Sequence, residues 1–130
     1  MIVVDSSVWI DFFSARDTPQ TRKLHEILQT SHIAIGDLIL AEVLQGCPDP
    51  KIFNETLNTL LKLHFVVMGG YQLSIETARN YIKLRHLGFT VRKTIDSFIA
   101  TSCIIYGFEL LHNDRDFLPF EKHLGLKCVN

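Results

Sequence analysis

The sequence carries no large excess of charge of either sign and has few cysteines. Thirteen Lys and Arg residues against 14 Asp and Glu residues leave a formal net charge of −1. This balance excludes the highly basic proteins that coat DNA, so any polyanion must bind through a local patch of charge. The three cysteines, Cys47, Cys103 and Cys128, form no CxxC pair. Their odd number and wide spacing predict reduced thiols in a cytoplasmic protein.

Long hydrophobic runs and a secretion signal are missing as well. The longest uncharged stretches, residues 63–75 and 97–108, are too short and too polar to span a bilayer. Residues 1–5 lack the basic segment of a signal peptide. We therefore expect no membrane partner and a cytoplasmic location. A chain of 130 residues, 47% of them apolar, is expected to form one domain over residues 1–130.

Several well-known site motifs do not occur in the sequence. There is neither a P-loop nor a GxGxxG dinucleotide-binding loop. The six histidines show no HxH or HExxH spacing, which argues against a zinc site. Ser6 and Ser7 have no histidine motif that would make them nucleophiles, so we interpret them as helix caps or as donors to a metal-bound water.

Short apolar runs alternate with helical patterns along the chain. Strands are predicted over residues 2–4, 32–35, 65–68 and 109–112, with a fifth candidate over 126–129. Helices are predicted over residues 6–13, 19–29, 37–45, 50–62, 74–88 and 95–106. Strands that alternate with helices imply an α/β fold in which helices cover a parallel sheet of four to five short strands. Such sheets bind ligands at the carboxyl ends of their strands.

Four carboxylates lie where this sheet would hold a ligand. Asp5 ends the first predicted strand, and Asp114 follows the fourth. Glu42 and Asp96 lie in two very apolar helices that contain no Lys or Arg to pair with them. Each acid alone is explained by a turn, a helix cap or a solvated position. Together they indicate a bound Mg²⁺ ion and hydrolysis of phosphodiesters by metal-activated water, because buried carboxylates are costly unless they are paired or metal-bound.

Four segments of the sequence, in order, resemble the motifs of PIN-domain nucleases, most closely those of VapC-type toxins. These segments are IVVDSSVWI (residues 2–10), LAEV (40–43), TIDSFIA (94–100) and LHNDRDF (111–117). The resemblance implies a three-layer α/β/α PIN-like fold and an endoribonuclease that depends on Mg²⁺, with Mn²⁺ as a substitute. It also implies a homodimer and inhibition by a small VapB-like antitoxin. At His112-Asn113 the sequence departs from many relatives, which carry a small hydroxyl residue before the acid.

The resemblance also implies roles for individual acids. Asp5, Glu42, Asp96 and Asp114 would form the catalytic site. Asp5 and Asp96 would bind the metal directly, whereas Glu42 and Asp114 would bind it directly or through water. Asp116 would be an auxiliary acid at the same metal.

Two basic residues are candidates for binding the RNA substrate. Arg92 and Lys93 directly precede the Asp96 helix, at the end of a stretch that contains several basic residues and no acid. They would hold RNA phosphates beside the metal. A solvated helix face is the alternative explanation for the other basic residues of this stretch.

The aromatic residues near the amino terminus suggest a surface for a partner. Phe12 and Phe13 cannot both face one core, because consecutive helix residues point about 100° apart. One of them is therefore predicted to lie on the antitoxin-binding surface, although single exposed aromatics are also common on proteins without a partner. Trp9 is predicted to lie in the core.

Two functions are compatible with the sequence. The first is a metal-dependent endoribonuclease that acts as the toxin of a toxin–antitoxin module. The alternative is a catalytically silent PIN fold that binds RNA or assembles a complex. The presence of all four acids favours the nuclease. A haloacid-dehalogenase-type phosphatase is excluded because Ser7 stands where that class needs a second acid after Asp5.

Overall fold

A computed structural model describes residues 1–129 of the chain. The strands are β1 (Ile2–Val4), β2 (Ile33–Gly36), β3 (His64–Val66), β4 (Glu109–Leu111) and β5 (Lys127–Cys128). The α-helices are α1 (Ser6–Phe13), α2 (Pro19–Thr30), α3 (Asp37–Gln45), α4 (Pro50–Leu60), α5 (Tyr71–His86), α6 (Thr94–Tyr106) and α7 (Leu118–Leu124). A short 3₁₀ helix over Arg115–Phe117 precedes α7.

The five strands form one parallel sheet in the order β3-β2-β1-β4-β5. β1 occupies the centre, where Ile2 lies opposite both Ile33 of β2 and Glu109 of β4. Helix α1 packs against α2 and α3, and α5 packs against α6 and α7, so two groups of helices flank the sheet. The predicted α/β fold with a central parallel sheet is therefore confirmed. No helix within residues 1–129 is long and apolar enough to cross a membrane.

Buried side chains of the central strands and of the flanking helices form the core. Val3 and Val4 of β1 are fully buried, as expected for a strand with neighbours on both sides. Trp9 of α1 is only 1% exposed, which agrees with its predicted place in the core. Phe117 and Phe120 close the core from the carboxyl-terminal part of the chain.

The third strand and the helix after it differ from the prediction. β3 ends at Val66, and Met68 leaves the strand to fill the space beside Gly36, where a Cβ atom would collide with the Met68 side chain. Ser74 does not cap α5, because the helix already begins after Gly70, whose φ of 99° suits glycine. The Ser74 hydroxyl instead donates to the Gly70 carbonyl oxygen across 2.6 Å.

Candidate functional site

The end of β1 and the end of β4 bring two of the predicted acids to one edge of the sheet. These strands are parallel neighbours, and Val4 lies opposite Leu111. The Asp5 amide donates to the Leu111 carbonyl oxygen across 2.9 Å, so the chain leaves both strands side by side. Asp5 then precedes α1, and Asp114 precedes the 3₁₀ helix. This is the carboxyl edge, where parallel sheets bind ligands.

Asp96, Asp114 and Asp116 form one compact group of acids at this edge. Each offers a carboxylate oxygen, and the three oxygens lie within 4.8 Å of one another. Asp96 comes from the first turn of α6, and the Asp116 amide donates to Oδ1 of Asp114 across 2.9 Å. Asp116, to which the resemblance gives only an auxiliary role, thus lies within reach of the same metal position as Asp96 and Asp114.

Two serines hold the remaining acids by hydrogen bonds. The Ser7 hydroxyl donates to Oδ2 of Asp5 across 2.7 Å. The Ser6 hydroxyl donates to Oε1 of Glu42 in α3 across 3.1 Å. Both serine hydroxyls therefore donate to carboxylates of the site. The sequence did not reveal these two hydrogen bonds.

Burial and mutual repulsion disfavour the ionised form of these acids. Burial raises the pKa of Asp5, and the hydrogen bond from Ser7 offsets part of this increase. Burial also raises the pKa of the half-buried Glu42. The pKa of Asp96 rises to about 7, first through burial and then through the charge of Asp5. Lys93 opposes the increase at Asp96 and Glu42, but no Lys or Arg within residues 1–129 forms an ion pair with any of the site acids.

Two buried carboxylate oxygens of the site have no hydrogen-bond partner among the described residues, Oδ1 of Asp5 and Oδ2 of Asp96. Unpartnered buried oxygens are costly, and a cation at this position would compensate them. Hard carboxylate oxygens are the ligands that Mg²⁺ takes. The donor set therefore fits a Mg²⁺ ion.

The chain is similar to known proteins over most of its length. A family model described as the PIN domain matches residues 2–122. The chain belongs to the PIN-domain family. This PIN domain is 29% identical over 139 residues to the VapC ribonuclease Mb1587 of Mycobacterium bovis, with 100% of the chain and 98% of the relative covered. Ribonuclease VapC11 of Mycobacterium tuberculosis matches with the same identity and coverage.

Solved structures show the same fold. VapBC2 from Rickettsia felis, in complex with a DNA fragment from its promoter, aligns with a TM-score of 0.77 at 18% identity. The alignment covers 100% of this PIN domain and 98% of the other chain. FitAcB from Neisseria gonorrhoeae aligns with a TM-score of 0.68 at 15% identity, covering 100% and 97%.

A basic rim borders the acids of this PIN domain. Arg92, Lys93 and Arg115 line an open basin of about 850 Å³ together with residues 113, 114 and 116. All three basic side chains are exposed, and within the described chain they form no ion pair. Arg115 joins the two basic residues that the sequence indicated, and its place between Asp114 and Asp116 in the LHNDRDF segment was a signal for it.

Phe12 and Phe13 of the PIN domain differ in exposure. Phe12 is half-buried and packs against the core, with its ring edge-on to Trp9. Phe13 is 39% exposed and lines a groove of about 270 Å³ together with Ile10, Val43 and Ile52. The exposed aromatic of the pair is thus Phe13, at a groove between α1, α3 and α4.

Proposed function

We propose that this PIN domain is a Mg²⁺-dependent endoribonuclease and the toxin of a VapBC-type toxin–antitoxin module, formed by one domain over residues 1–130. The observation that carries the proposal is the clustering of five acids, none of which forms an ion pair with a Lys or Arg among the described residues. Two of these acids, Asp5 and Asp96, have buried oxygens with no hydrogen-bond partner there. The names of its full-length relatives, VapC ribonucleases, support the same activity.

The acids hold the metal in this proposal. Asp5 and Asp96 bind Mg²⁺ directly, and Glu42 and Asp114 bind it directly or through water. The distances within the Asp96, Asp114 and Asp116 group support a direct role for Asp116 as well. When bound, Mg²⁺ or its substitute Mn²⁺ supplies the positive charge that activates a water and stabilises the phosphoryl transition state.

The other residues prepare the site and bind the substrate. Ser7 and Ser6 orient Asp5 and Glu42 and favour their ionised forms. Arg92 and Lys93, joined by Arg115, contact RNA phosphates along the basin. We expect attack by a metal-activated water that leaves 5′-phosphate and 3′-hydroxyl ends.

We assign the groove beside Phe13 to a VapB-like antitoxin. Its exposed apolar lining, which includes Ile10 and Ile52, suits an amphipathic helix. The complexes among the structural neighbours, such as VapBC2, support a partner of this kind. An Arg or Lys of the antitoxin would enter the acid site and replace the charge of the metal.

A homodimer and a cytoplasmic location complete the proposal. Tyr71, Ile75, Ile105 and Tyr106 line a second exposed pocket on α5 and α6, which offers an apolar face to a second copy of the chain. The three cysteines are free thiols, as expected for a protein of a reducing compartment.

Cleavage of total cellular RNA tests the proposed activity. We expect cleavage with Mg²⁺ or Mn²⁺ and none after addition of EDTA. Asp96→Asn should remove cleavage, whereas the distant exposed change Glu55→Gln should not. Cleavage that persists in EDTA would contradict the proposal. RNA binding without any cleavage would instead support the catalytically silent alternative.

A further inference from the structure

A second group of metal-binding side chains lies outside the acid site. His112 follows β4, Glu121 belongs to α7 and Cys128 belongs to β5. One ligand atom of each residue lies within 4.8 Å of the other two. The pairing of Leu110 with Cys128 aligns β5 beside β4, and α7 connects the two regions. We call these three residues the C-terminal cluster.

The C-terminal cluster differs chemically from the acid site. It combines a thiol, an imidazole and a carboxylate, whereas the acid site offers carboxylates alone. Thiolate and imidazole ligands suit Zn²⁺, whereas Mg²⁺ takes oxygen ligands. Three protein ligands with the fourth position open to solvent are a common zinc arrangement. The two groups would therefore select different metals.

We propose that the C-terminal cluster is a zinc-binding site. His112 and Cys128 are half-buried and Glu121 is exposed, so the site has protected ligands and an open side for entry. The three ligands come from separate elements between residues 112 and 128. The site consequently has no HxH or HExxH spacing, which is why the sequence argued against zinc.

Zinc binding would change the hydrogen bonding of His112. In the metal-free chain its Nδ1 accepts a hydrogen bond from the Asp114 amide across 3.1 Å, so the neutral ring carries its proton on Nε2, and the ring lies 4.8 Å from that of Phe117. A zinc ion on Nδ1 would replace the bond from the amide, whereas a zinc ion on Nε2 would move the ring proton to Nδ1. Either mode gives up the bond from the Asp114 amide.

The thiol of Cys128 is protonated when no metal is bound. Burial raises its pKa to about 12, and the charge of Glu121 adds to the increase. Metal binding therefore replaces the thiol proton, which is released to solvent. The proposed nuclease reaction gives His112 no role.

Cobalt and zinc titrations of the full reduced chain test this site without measuring RNA cleavage. Co²⁺ should bind one equivalent with a thiolate-to-cobalt charge-transfer band, and Zn²⁺ should displace it. Cys128→Ser should abolish the band, whereas Cys47→Ser should leave it, since Cys47 lies outside the cluster. Asp96→Asn should also keep the band, which separates this site from the acid site and from the proposed nuclease function.

Three outcomes would overturn the zinc site. The first is that the unaltered chain shows no thiolate-to-cobalt band. The second is that the band persists in Cys128→Ser. The third is that Glu121→Ala binds Zn²⁺ as tightly as the unaltered chain does. The last variant changes an exposed side chain and so avoids the risk of misfolding. We expect it to weaken Zn²⁺ binding at least roughly tenfold, a loss typical even of residues that only support a ligand. Glu55→Ala is its matched control.

Discussion

The hydroxyl of Ser6 donates a hydrogen bond to Oε1 of Glu42, a residue 36 positions later in the chain. This contact joins α1 to α3 at the acid site. It lowers the pKa of Glu42, whereas burial raises it. The Ser7 hydroxyl likewise donates to Asp5, and this hydrogen bond lowers the pKa of Asp5 against the effect of burial. The two serines thus favour the carboxylate forms that a metal needs.

Replacement of Ser7 by alanine should weaken metal binding. Without the hydrogen bond from Ser7 the pKa of Asp5 rises further, so the acidic limb of the pH–rate profile should move to higher pH. The Mg²⁺ concentration for half-maximal RNA cleavage should rise roughly tenfold, since a hydrogen bond to a charged group contributes about 1.5–3 kcal/mol. Ser14→Ala, at the other end of α1, is the control. Identical pH and Mg²⁺ profiles for Ser7→Ala and the unaltered chain would contradict the role given to Ser7.

Asp96→Asn should stabilise the metal-free protein at neutral pH. The pKa of Asp96 is about 7 in the fold against the usual 3.8, so between pH 3.8 and 7 the unfolded chain binds fewer protons at this group. Stability from this group therefore falls as pH rises through that interval. The shift corresponds to roughly 4 kcal/mol, at about 1.4 kcal/mol per pKa unit. Removing the charge should raise the free energy of unfolding by about 1–2 kcal/mol of this, because the buried amide of the variant still lacks a hydrogen-bond partner.

Calorimetry in EDTA measures this difference. At neutral pH the melting temperature of Asp96→Asn should exceed that of the unaltered chain by about 2–8 °C. The difference should shrink near pH 4, where the unfolded carboxyl is itself half protonated. Glu55→Gln should show neither effect. A lower melting temperature for Asp96→Asn would mean that Asp96 is not repelled by neighbouring acids.

Millimolar Mg²⁺ should protect the unaltered chain against thermal unfolding. An ion that binds only the folded state stabilises it by mass action. The melting temperature of Asp96→Asn should rise less on addition of Mg²⁺, because this variant lacks one of the proposed carboxylate ligands. The measurement is the change in melting temperature on addition of Mg²⁺ for each protein. If Mg²⁺ raised the melting temperatures of the unaltered chain and of Asp96→Asn equally, the ion would bind at a site that does not include Asp96.

The two adjacent phenylalanines should respond differently to substitution by serine. Phe13→Ser removes an exposed wall of the groove and a ring stacked on Trp9, so it should weaken antitoxin binding more than about tenfold and lower the melting temperature less than Phe12→Ser does. Phe12→Ser removes a partly buried ring from its contact with Trp9 and should mainly lower the melting temperature. Calorimetric titration with a VapB-like antitoxin measures the affinity. Unaltered affinity of Phe13→Ser would show that the groove is not the binding surface.

Much of the fold was predictable because local patterns are strong in the first half of the chain. Pro19 and Pro50 each begin a helix at the expected residue, and α3 has its predicted bounds Asp37–Gln45. The 3₁₀ helix and α7 were not predicted. Together they cover only ten residues and contain Pro119, so no apolar period extends over two or more turns.

The candidate site was predictable only as a set of acids. Asp5 and Asp114 follow apolar strands, and parallel strands place such residues at one edge. The closeness of Asp116 to Asp96 depends on how α6 packs beside the 3₁₀ helix, a tertiary contact with no local signature. The hydrogen bond between Ser6 and Glu42 also has no local signature in the sequence, because the two residues belong to different helices.

The order of the elements along the chain has a consequence for synthesis on the ribosome. The groove beside Phe13 uses residues 10–56 only, so its whole lining is synthesised before Asp96, Asp114 and Asp116. The acid site is completed only when Asp114 and Asp116 lie at the end of β4 beside the central strand β1. The residues of the proposed antitoxin groove therefore leave the ribosome before those that complete the proposed cleavage site.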